Sequence, residues 1–212
     1  MRIILAIFLF LLTLFVFVYI ADEIVLEHET HFDQNILSAI APLHSSGMTS
    51  VMKVFTFFGS STFLFPAYSL LIIYFLIKKN KQIAIDIAAI GLTSTGILFL
   101  LKDIFQRHRP LDPLIRNVTG FSFPSGHSFS SFTFYGLAAY LLWQTNMSKT
   151  WKIIVTIFLF LFPALIAFSR VYLQVHFPSD VVAGFCLSVV WLVLSFWILQ
   201  RGKVSKKPDQ YA

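Results

Sequence analysis

The segment around His176 contains residue types that could perform nucleophilic chemistry. Pro178 fits the first turn of a helix, which places His176 at its mouth and Asp180 four residues further on, within reach. An aspartate that accepts a hydrogen bond from one imidazole nitrogen leaves the other nitrogen free as a nucleophile. The alternative is a structural His–Asp bond. Arg170, at the end of the preceding apolar stretch, either binds an anion here or reaches for lipid headgroups.

A second polar cluster, residues 121–128, leads directly into another apolar stretch. Ser125 fits an N-cap, and Gly126 allows another group to approach the backbone closely. Free amides and the positive end of a helix dipole favour anion binding at such a helix start. His127, in the first turn, could hydrogen-bond to a bound oxyanion. The alternative is a capped helix start with a histidine that faces headgroups.

Lys102 and Arg109 supply two further cations. They are seven positions apart, about two helical turns, so we expect them to point the same way while the helix lasts. Two cations directed at one place suit a dianion such as a phosphate group. The alternative is that both side chains extend to the membrane surface. Each cluster alone is ambiguous, and their joint occurrence favours an anion site.

The composition shows which elements must position these clusters. Of 212 residues, 57% are hydrophobic and only 12% are charged, whereas a soluble domain has about 25% charged residues. A membrane-spanning helix needs roughly 20 apolar residues. We therefore predict an all-α, polytopic membrane protein with one domain, residues 1–212, and six transmembrane helices in a bundle. The predicted spans are about residues 3–21, 61–77, 83–101, 126–143, 153–169 and 180–199.

The basic residues indicate the orientation of these spans. Ten of the sixteen Lys and Arg residues lie on the side of the two termini: Arg2, Lys78, Lys79, Lys81, Lys149, Lys152, Arg201, Lys203, Lys206 and Lys207. The positive-inside rule places that side in the cytoplasm of a cell-membrane protein. The loops 22–60, 102–127 and 170–180, with all six histidines, then face outward. Membrane orientation explains the charge of +6 without a nucleic-acid partner.

Two apolar segments need separate interpretation. Residues 3–21 are longer than the core of a signal peptide and end in a poor cleavage site, so we expect an uncleaved span. Residues 35–60 are too broken to span, and we expect them to lie along the outer interface. They form either a structured loop or a lip over which a lipid enters.

The three clusters together resemble the three signature motifs of the type 2 phosphatidic acid phosphatases, which are membrane lipid phosphatases. They are Lys102-(six residues)-Arg109-Pro110, Pro124-Ser125-Gly126-His127 and Ser169-Arg170-(five residues)-His176-(three residues)-Asp180. All three are complete, and the six-span layout extends the resemblance over most of the chain. The chain is similar to the small bacterial branch of that family, the phosphatidylglycerophosphate phosphatases of the B type.

The resemblance implies a role for each matched residue. His176 would attack phosphorus and become a transient phosphohistidine, with Asp180 orienting it. His127 would protonate the leaving oxygen and then help to activate water. The substrate-binding residues would be Lys102, Arg109, Ser125, Gly126 and Arg170. Arg107 and His108 lie outside the motifs and are assigned no role.

The implied activity is hydrolysis of a lipid phosphate that reaches the site from the bilayer. Three cations and helix-start amides can compensate phosphate charge without a metal or another cofactor. Phosphatidylglycerophosphate is the first expected substrate, and undecaprenyl diphosphate or phosphatidic acid are the alternatives. No obligate protein partner is expected.

Two other classes of protein fit part of the pattern. A metal-dependent hydrolase could use His127, His176 and Asp180 as ligands, but the three nearby Lys and Arg residues would crowd a cation. A lipid or ion transporter usually has ionisable residues at the midplane of its spans. Here only Asp86 lies inside a predicted span, close to its cytoplasmic end.

Overall fold

All regular elements in the described part of the chain are helices, which confirms the all-α class. The computed structural model describes residues 2–26, 30–116 and 118–204, and only the backbone of residues 2, 3, 24, 26 and 200–204. The elements are α1 (Arg2–Tyr19), a π-helix (Ile20–Leu26), α2 (His31–Ile40), a 3-10 turn (Ala41–Leu43), α3 (Ser46–Phe57), α4 (Ser61–Ile77), α5 (Lys81–Phe105), α6 (Gly126–Trp143), α7 (Lys149–Tyr172) and α8 (Pro178–Val204).

Five helical stretches within the described residues are long and apolar enough to cross a membrane. They are Ile4–Glu23, Ser46–Ile77, Lys81–Phe105, Lys149–Tyr172 and Pro178–Leu199. The fourth predicted span, residues 126–143, coincides with α6 but is not among the five, because hydroxyl residues occupy its first half. Ser128, Ser131 and Thr133 are buried, so these hydroxyls face the bundle and not lipid.

Helix α6 lies at the centre of the bundle. It packs against α7 and α8 over most of its length, and it also contacts α4 and α5. Gly184 allows α8 to approach the start of α6 closely. A Cβ atom at this position would lie only 2.8 Å from the Ser125 carbonyl oxygen. The start of α6, which carries His127, is thereby fixed against the first turns of α8.

Residues 35–60, expected to form either a structured loop or a lip for lipid entry, are largely helical. Helix α2 packs against α7 and α8, and α3 packs against α7. The Tyr172 hydroxyl on α7 binds the connection between α2 and α3. It accepts a hydrogen bond from the Ser45 amide at 3.1 Å and donates one to the Leu43 carbonyl at 3.2 Å. This segment is therefore part of the bundle, and its location at a membrane interface stays a prediction.

Five lysines with described side chains lie at one end of the bundle. Helix α5 begins at Lys81 and α7 at Lys149, whereas the connection 106–125 leaves α5 and enters α6 at the opposite end. Lys78, Lys79 and Lys152 also lie at the α5-start end. The side chains of Arg2, Arg201 and Lys203, and the whole of Lys206, Lys207 and His28, lie outside the described residues, so this part of the charge prediction has no structural counterpart.

Candidate active site

Six of the predicted site residues line one cavity of about 870 Å³. They come from the three polar clusters of the sequence: Lys102, Arg109, Gly126, His127, Arg170 and His176. From there the cavity continues between α4 and α5 along apolar side chains that include Leu64, Ile72 and Phe99. The structure therefore brings the three polar clusters together at one end of an apolar groove.

The contacts of His176 define a neutral imidazole. Its Nε2 lies 3.1 Å from Nη1 of Arg109, which can only donate, so Nε2 accepts and the proton belongs on Nδ1. Nδ1 lies 3.3 Å from the Ser122 hydroxyl and 3.5 Å from Oδ2 of Asp180. Burial lowers the pKa of His176 to about 3, although the hydrogen bond and charge of Asp180 act in the opposite direction. The ring is therefore uncharged at neutral pH, as a nucleophile must be.

Asp180 lies behind His176, as its spacing predicts. It is the third residue of α8, and its Oδ2 accepts hydrogen bonds from the Phe177 amide, at 2.8 Å, and from the Ser122 hydroxyl. A carboxylate at this position caps the helix start and interacts favourably with the helix dipole. Ser122, to which the sequence assigns no role, links the carboxylate and the imidazole.

Lys102 and Arg109 meet, but the expected reason is wrong. Helix α5 ends at Phe105, and Gln106 adopts a left-handed conformation, so Arg109 lies beyond the helix. The connection folds back instead: Lys102 Nζ donates to the Phe121 carbonyl at 2.6 Å and Arg109 Nη2 to the same oxygen at 3.1 Å. Burial lowers the pKa of Arg109 below its ordinary range. Both cations therefore donate hydrogen bonds to a backbone carbonyl oxygen.

Arg170 is buried, with 5% of its surface exposed. Its Nη1 donates to the Thr56 hydroxyl at 2.5 Å, and its Nε–H has no hydrogen-bond partner among the described residues. A bound water molecule or anion could supply the acceptor for this buried donor. Thr56, on α3, is a contact that no motif in the sequence indicates.

The start of α6 contributes in three different ways. The Ser125 hydroxyl accepts a hydrogen bond from the Ser128 amide at 3.4 Å, which confirms the predicted N-cap. Ser125 is buried and does not line the cavity, so its expected role in phosphate binding stays a prediction. Gly126 lines the cavity, and a Cβ atom there would lie 3.0 Å from a methyl group of Leu98. His127 lies in the first turn and lines the cavity too.

Arg107 and Asp33 were not singled out by the sequence, yet they border the site. Arg107 pairs with Asp180 at 2.7 Å and with Asp33 at 2.7 Å. Lys102, Arg109 and Arg170 form no ion pair with a carboxylate in the described part of the chain. No group of three or more His, Cys, Asp or Glu side chains among the described residues could hold a metal ion. The site thus combines a neutral buried imidazole with three cations that form no direct ion pair with a described carboxylate.

Comparisons with known proteins agree with this chemistry. Residues 83–203 match the model of the PAP2 superfamily. The chain is 33% identical over 169 residues to phosphatidylglycerophosphatase B of Bacillus subtilis, covering 76% of this chain and 80% of that protein. It is 28% identical over 166 residues to an undecaprenyl-diphosphatase of Sulfolobus acidocaldarius, covering 75% of this chain and 74% of the relative.

A solved structure extends the similarity to the fold. The crystal structure of a transmembrane PAP2-type phosphatidylglycerolphosphate phosphatase from Bacillus subtilis superimposes with a TM-score of 0.77 at 28% identity, covering 97% of this chain and 98% of that one. Fold and site together define a multi-pass membrane lipid phosphatase. The chain belongs to the PAP2 superfamily.

Proposed function

We propose that this protein hydrolyses phosphatidylglycerophosphate to phosphatidylglycerol and inorganic phosphate. The observation that carries the proposal is the set of three cations, Lys102, Arg109 and Arg170, that line one cavity with His176 and have no carboxylate partner in the described residues. Such a set compensates the charge on the non-bridging oxygens of a phosphate. The orphaned Nε–H of Arg170 is one donor that a phosphate oxygen would satisfy.

The reaction follows in two steps. Nε2 of His176 attacks phosphorus, the bond from phosphorus to the lipid oxygen breaks, and His127 gives that oxygen a proton. A water molecule, deprotonated by His127, then attacks the phosphohistidine, the N–P bond breaks, and phosphate leaves. Arg109 moves from Nε2 of His176 to the phosphate oxygens, while Ser125 and the Gly126 amide complete the anion site.

The apolar part of the cavity supports a lipid substrate. It extends from the cations between α4 and α5, where side chains such as Leu64, Ile72 and Leu98 can contact an acyl or prenyl chain. The similarity to an undecaprenyl-diphosphatase favours undecaprenyl diphosphate as the second candidate. Phosphatidic acid is the third.

We further propose a six-span topology in one domain, residues 1–212, with α6 as the fourth span. The lysines at the start of α5 and α7 support a cytoplasmic location, in a cell-membrane protein, for that end of the bundle together with both termini. The site at the opposite end is then extracytoplasmic. Lipid from the bilayer is the partner, and neither a protein partner nor a cofactor is needed.

The test is release of phosphate by the purified protein in detergent with excess EDTA. We expect turnover to be fastest with phosphatidylglycerophosphate, slower with undecaprenyl diphosphate and slowest with phosphatidic acid. The matched His176→Ala protein should be inactive but elute as the same species in gel filtration. Activity that EDTA abolishes and zinc or magnesium restores would favour the metal hydrolase. A protein that releases no phosphate but moves a lipid or ion across liposomes would be a transporter.

A further inference from the structure

We infer that Asp33 and Arg107 are positioning residues for this reaction: Asp33 fixes Arg107, and Arg107 fixes the carboxylate of Asp180 behind the nucleophile. Neither residue belongs to the motifs, and Asp33 lies on α2, in a segment far from them in sequence. The inference rests on the proposed function, because it concerns how the nucleophile of that reaction is oriented.

The guanidinium of Arg107 is fixed from several sides. Nη1 donates to Oδ1 of Asp180 at 2.7 Å and to the Ser179 hydroxyl at 2.8 Å, while Nη2 donates to Oδ2 of Asp33 at 2.7 Å. Its central carbon lies 4.2 Å from the centre of the Phe177 ring. A planar group bound by two carboxylates and covered by a ring has little freedom to rotate.

Asp33 is almost completely buried, with 1% of its surface exposed. Oδ1 accepts a hydrogen bond from the Ser179 amide at 2.8 Å, and Oδ2 accepts one from the Ser179 hydroxyl at 2.6 Å as well as from Arg107. Burying a carboxylate is costly, and apolar side chains would attach α2 to the bundle at least as well. The use of a charge here therefore needs a further reason, and its charged partner Arg107 supplies one.

The two carboxylate oxygens of Asp180 therefore bind different partners. Oδ1 binds Arg107, whereas Oδ2 binds Ser122 and the Phe177 amide and lies 3.5 Å from Nδ1 of His176. Without Arg107 the carboxylate could rotate and lose this arrangement. The ion pair thus keeps one oxygen directed at the nucleophilic ring.

The ion pair also affects the charge of the nucleophile. The charged groups around His176 are Asp180 on α8, Arg170 on α7 and Arg109 on the connection, and His127 on α6 is a further titratable neighbour. An unpaired carboxylate favours the imidazolium, which cannot attack phosphorus. Because Arg107 compensates the charge of Asp180, the carboxylate can orient His176 and still leave it neutral.

The experiment compares Arg107→Gln and Asp33→Asn with the matched exposed variants Lys53→Gln and Asp103→Asn, in the full-length protein with phosphatidylglycerophosphate. We measure kcat, KM and the pH profile of kcat/KM. Arg107→Gln should lower kcat about 10- to 100-fold with little change in KM, and move the acidic limb of the profile to higher pH by about one unit. Asp33→Asn should change kcat and the acidic limb in the same direction to a smaller extent. The exposed controls should have the kcat, KM and pH profile of the wild type.

Four outcomes would overturn the inference. In the first, activity falls only in proportion to the folded fraction and the acidic limb does not move, which indicates a purely structural pair. In the second, the acidic limb of Arg107→Lys, which keeps the charge and protects the fold, lies no closer to the wild-type limb than that of Arg107→Gln does. In the third, the wild type releases no phosphate, so the proposed function fails and the positioning role falls with it. Active wild type with unchanged variants overturns the positioning role alone.

Discussion

The two sides of the candidate active site differ in whether their charged side chains form ion pairs. On the nucleophile side (Asp33, Arg107, Ser122, His176 and Asp180), both carboxylates are paired with the same arginine and the groups are joined by hydrogen bonds. On the cation side (Lys102, Arg109 and Arg170), the positive charges bind carbonyl and hydroxyl oxygens and no carboxylate in the described structure.

This difference separates the parts of the site that must not move from the part that must accept an anion. The nucleophile side is complete without substrate, and its contacts fix the tautomer and direction of one imidazole. The cation side is complete only when an anion is bound, since uncompensated buried charge is unfavourable. A site that binds phosphate tightly in the transition state needs both properties.

The strongest test of the comparison exchanges one arginine on each side for glutamine. Arg170→Gln should lower kcat/KM about 100- to 1000-fold, as expected for loss of one preorganised donor, but should not lower the melting temperature, because it removes an unpaired buried cation. Arg107→Gln should destabilise the protein by about 3–5 kcal/mol, because it leaves two buried carboxylates unpaired. Lipid-phosphatase assays and thermal unfolding in detergent measure the two effects.

Vanadate provides an independent measurement on the same pair. It mimics the trigonal bipyramidal phosphorus, so it should inhibit the wild type competitively and Arg170→Gln much less. Equal loss of stability in both arginine variants, or equal vanadate inhibition of wild type and Arg170→Gln, would remove the distinction between the two sides.

A smaller effect is expected where α6 meets α8. Gly184→Ala places a methyl group 2.8 Å from the Ser125 carbonyl, which must shift the helix start that carries His127. We expect a loss of about 1–3 kcal/mol in stability and about tenfold in kcat. Gly96→Ala is the control, because a Cβ atom at Gly96 has no neighbour within 4 Å and alanine favours a helix. If both variants behave alike, close helix contact does not position His127.

The smallest expected effect is the pH dependence of stability on the nucleophile side. The pKa of His176 is about 3 in the folded state against an ordinary 6.5, so the unfolded state binds more protons between these values. This contribution is therefore present in full above pH 6.5 and is lost as the pH falls toward 3. The melting temperature of His176→Gln should fall less on acidification than that of the wild type. The melting temperature of the exposed control His108→Gln should fall as much as that of the wild type. An equal fall in melting temperature for all three proteins would contradict a neutral buried His176.

The sequence predicts the helices that contact lipid better than the contacts between them. Hydropathy alone places residues 61–77 correctly as a helix, since long apolar runs leave few alternatives in a membrane. The meeting of Lys102 and Arg109 was predicted for the wrong reason, because nothing in the spacing indicates that the helix ends at Phe105 and the chain folds back.

The ion pairs of Arg107 could not be predicted in the same way. Asp33 and Arg107 are 74 residues apart, and no periodicity connects a short helix with a loop at that distance. The contact between Thr56 and Arg170 is similar, because these residues are 114 positions apart. Motifs indicate candidate reacting groups, whereas the contacts around those groups depend on tertiary packing.

The most direct test of the account is to trap the phosphoryl-enzyme. Purified protein is mixed in EDTA with phosphatidylglycerophosphate labelled in its terminal phosphate, quenched in alkali within milliseconds, and digested for peptide mapping. We predict an alkali-stable, acid-labile phosphate on His176 that is absent from His176→Ala. Turnover of labelled lipid without label on His176, or label on another residue, would contradict it.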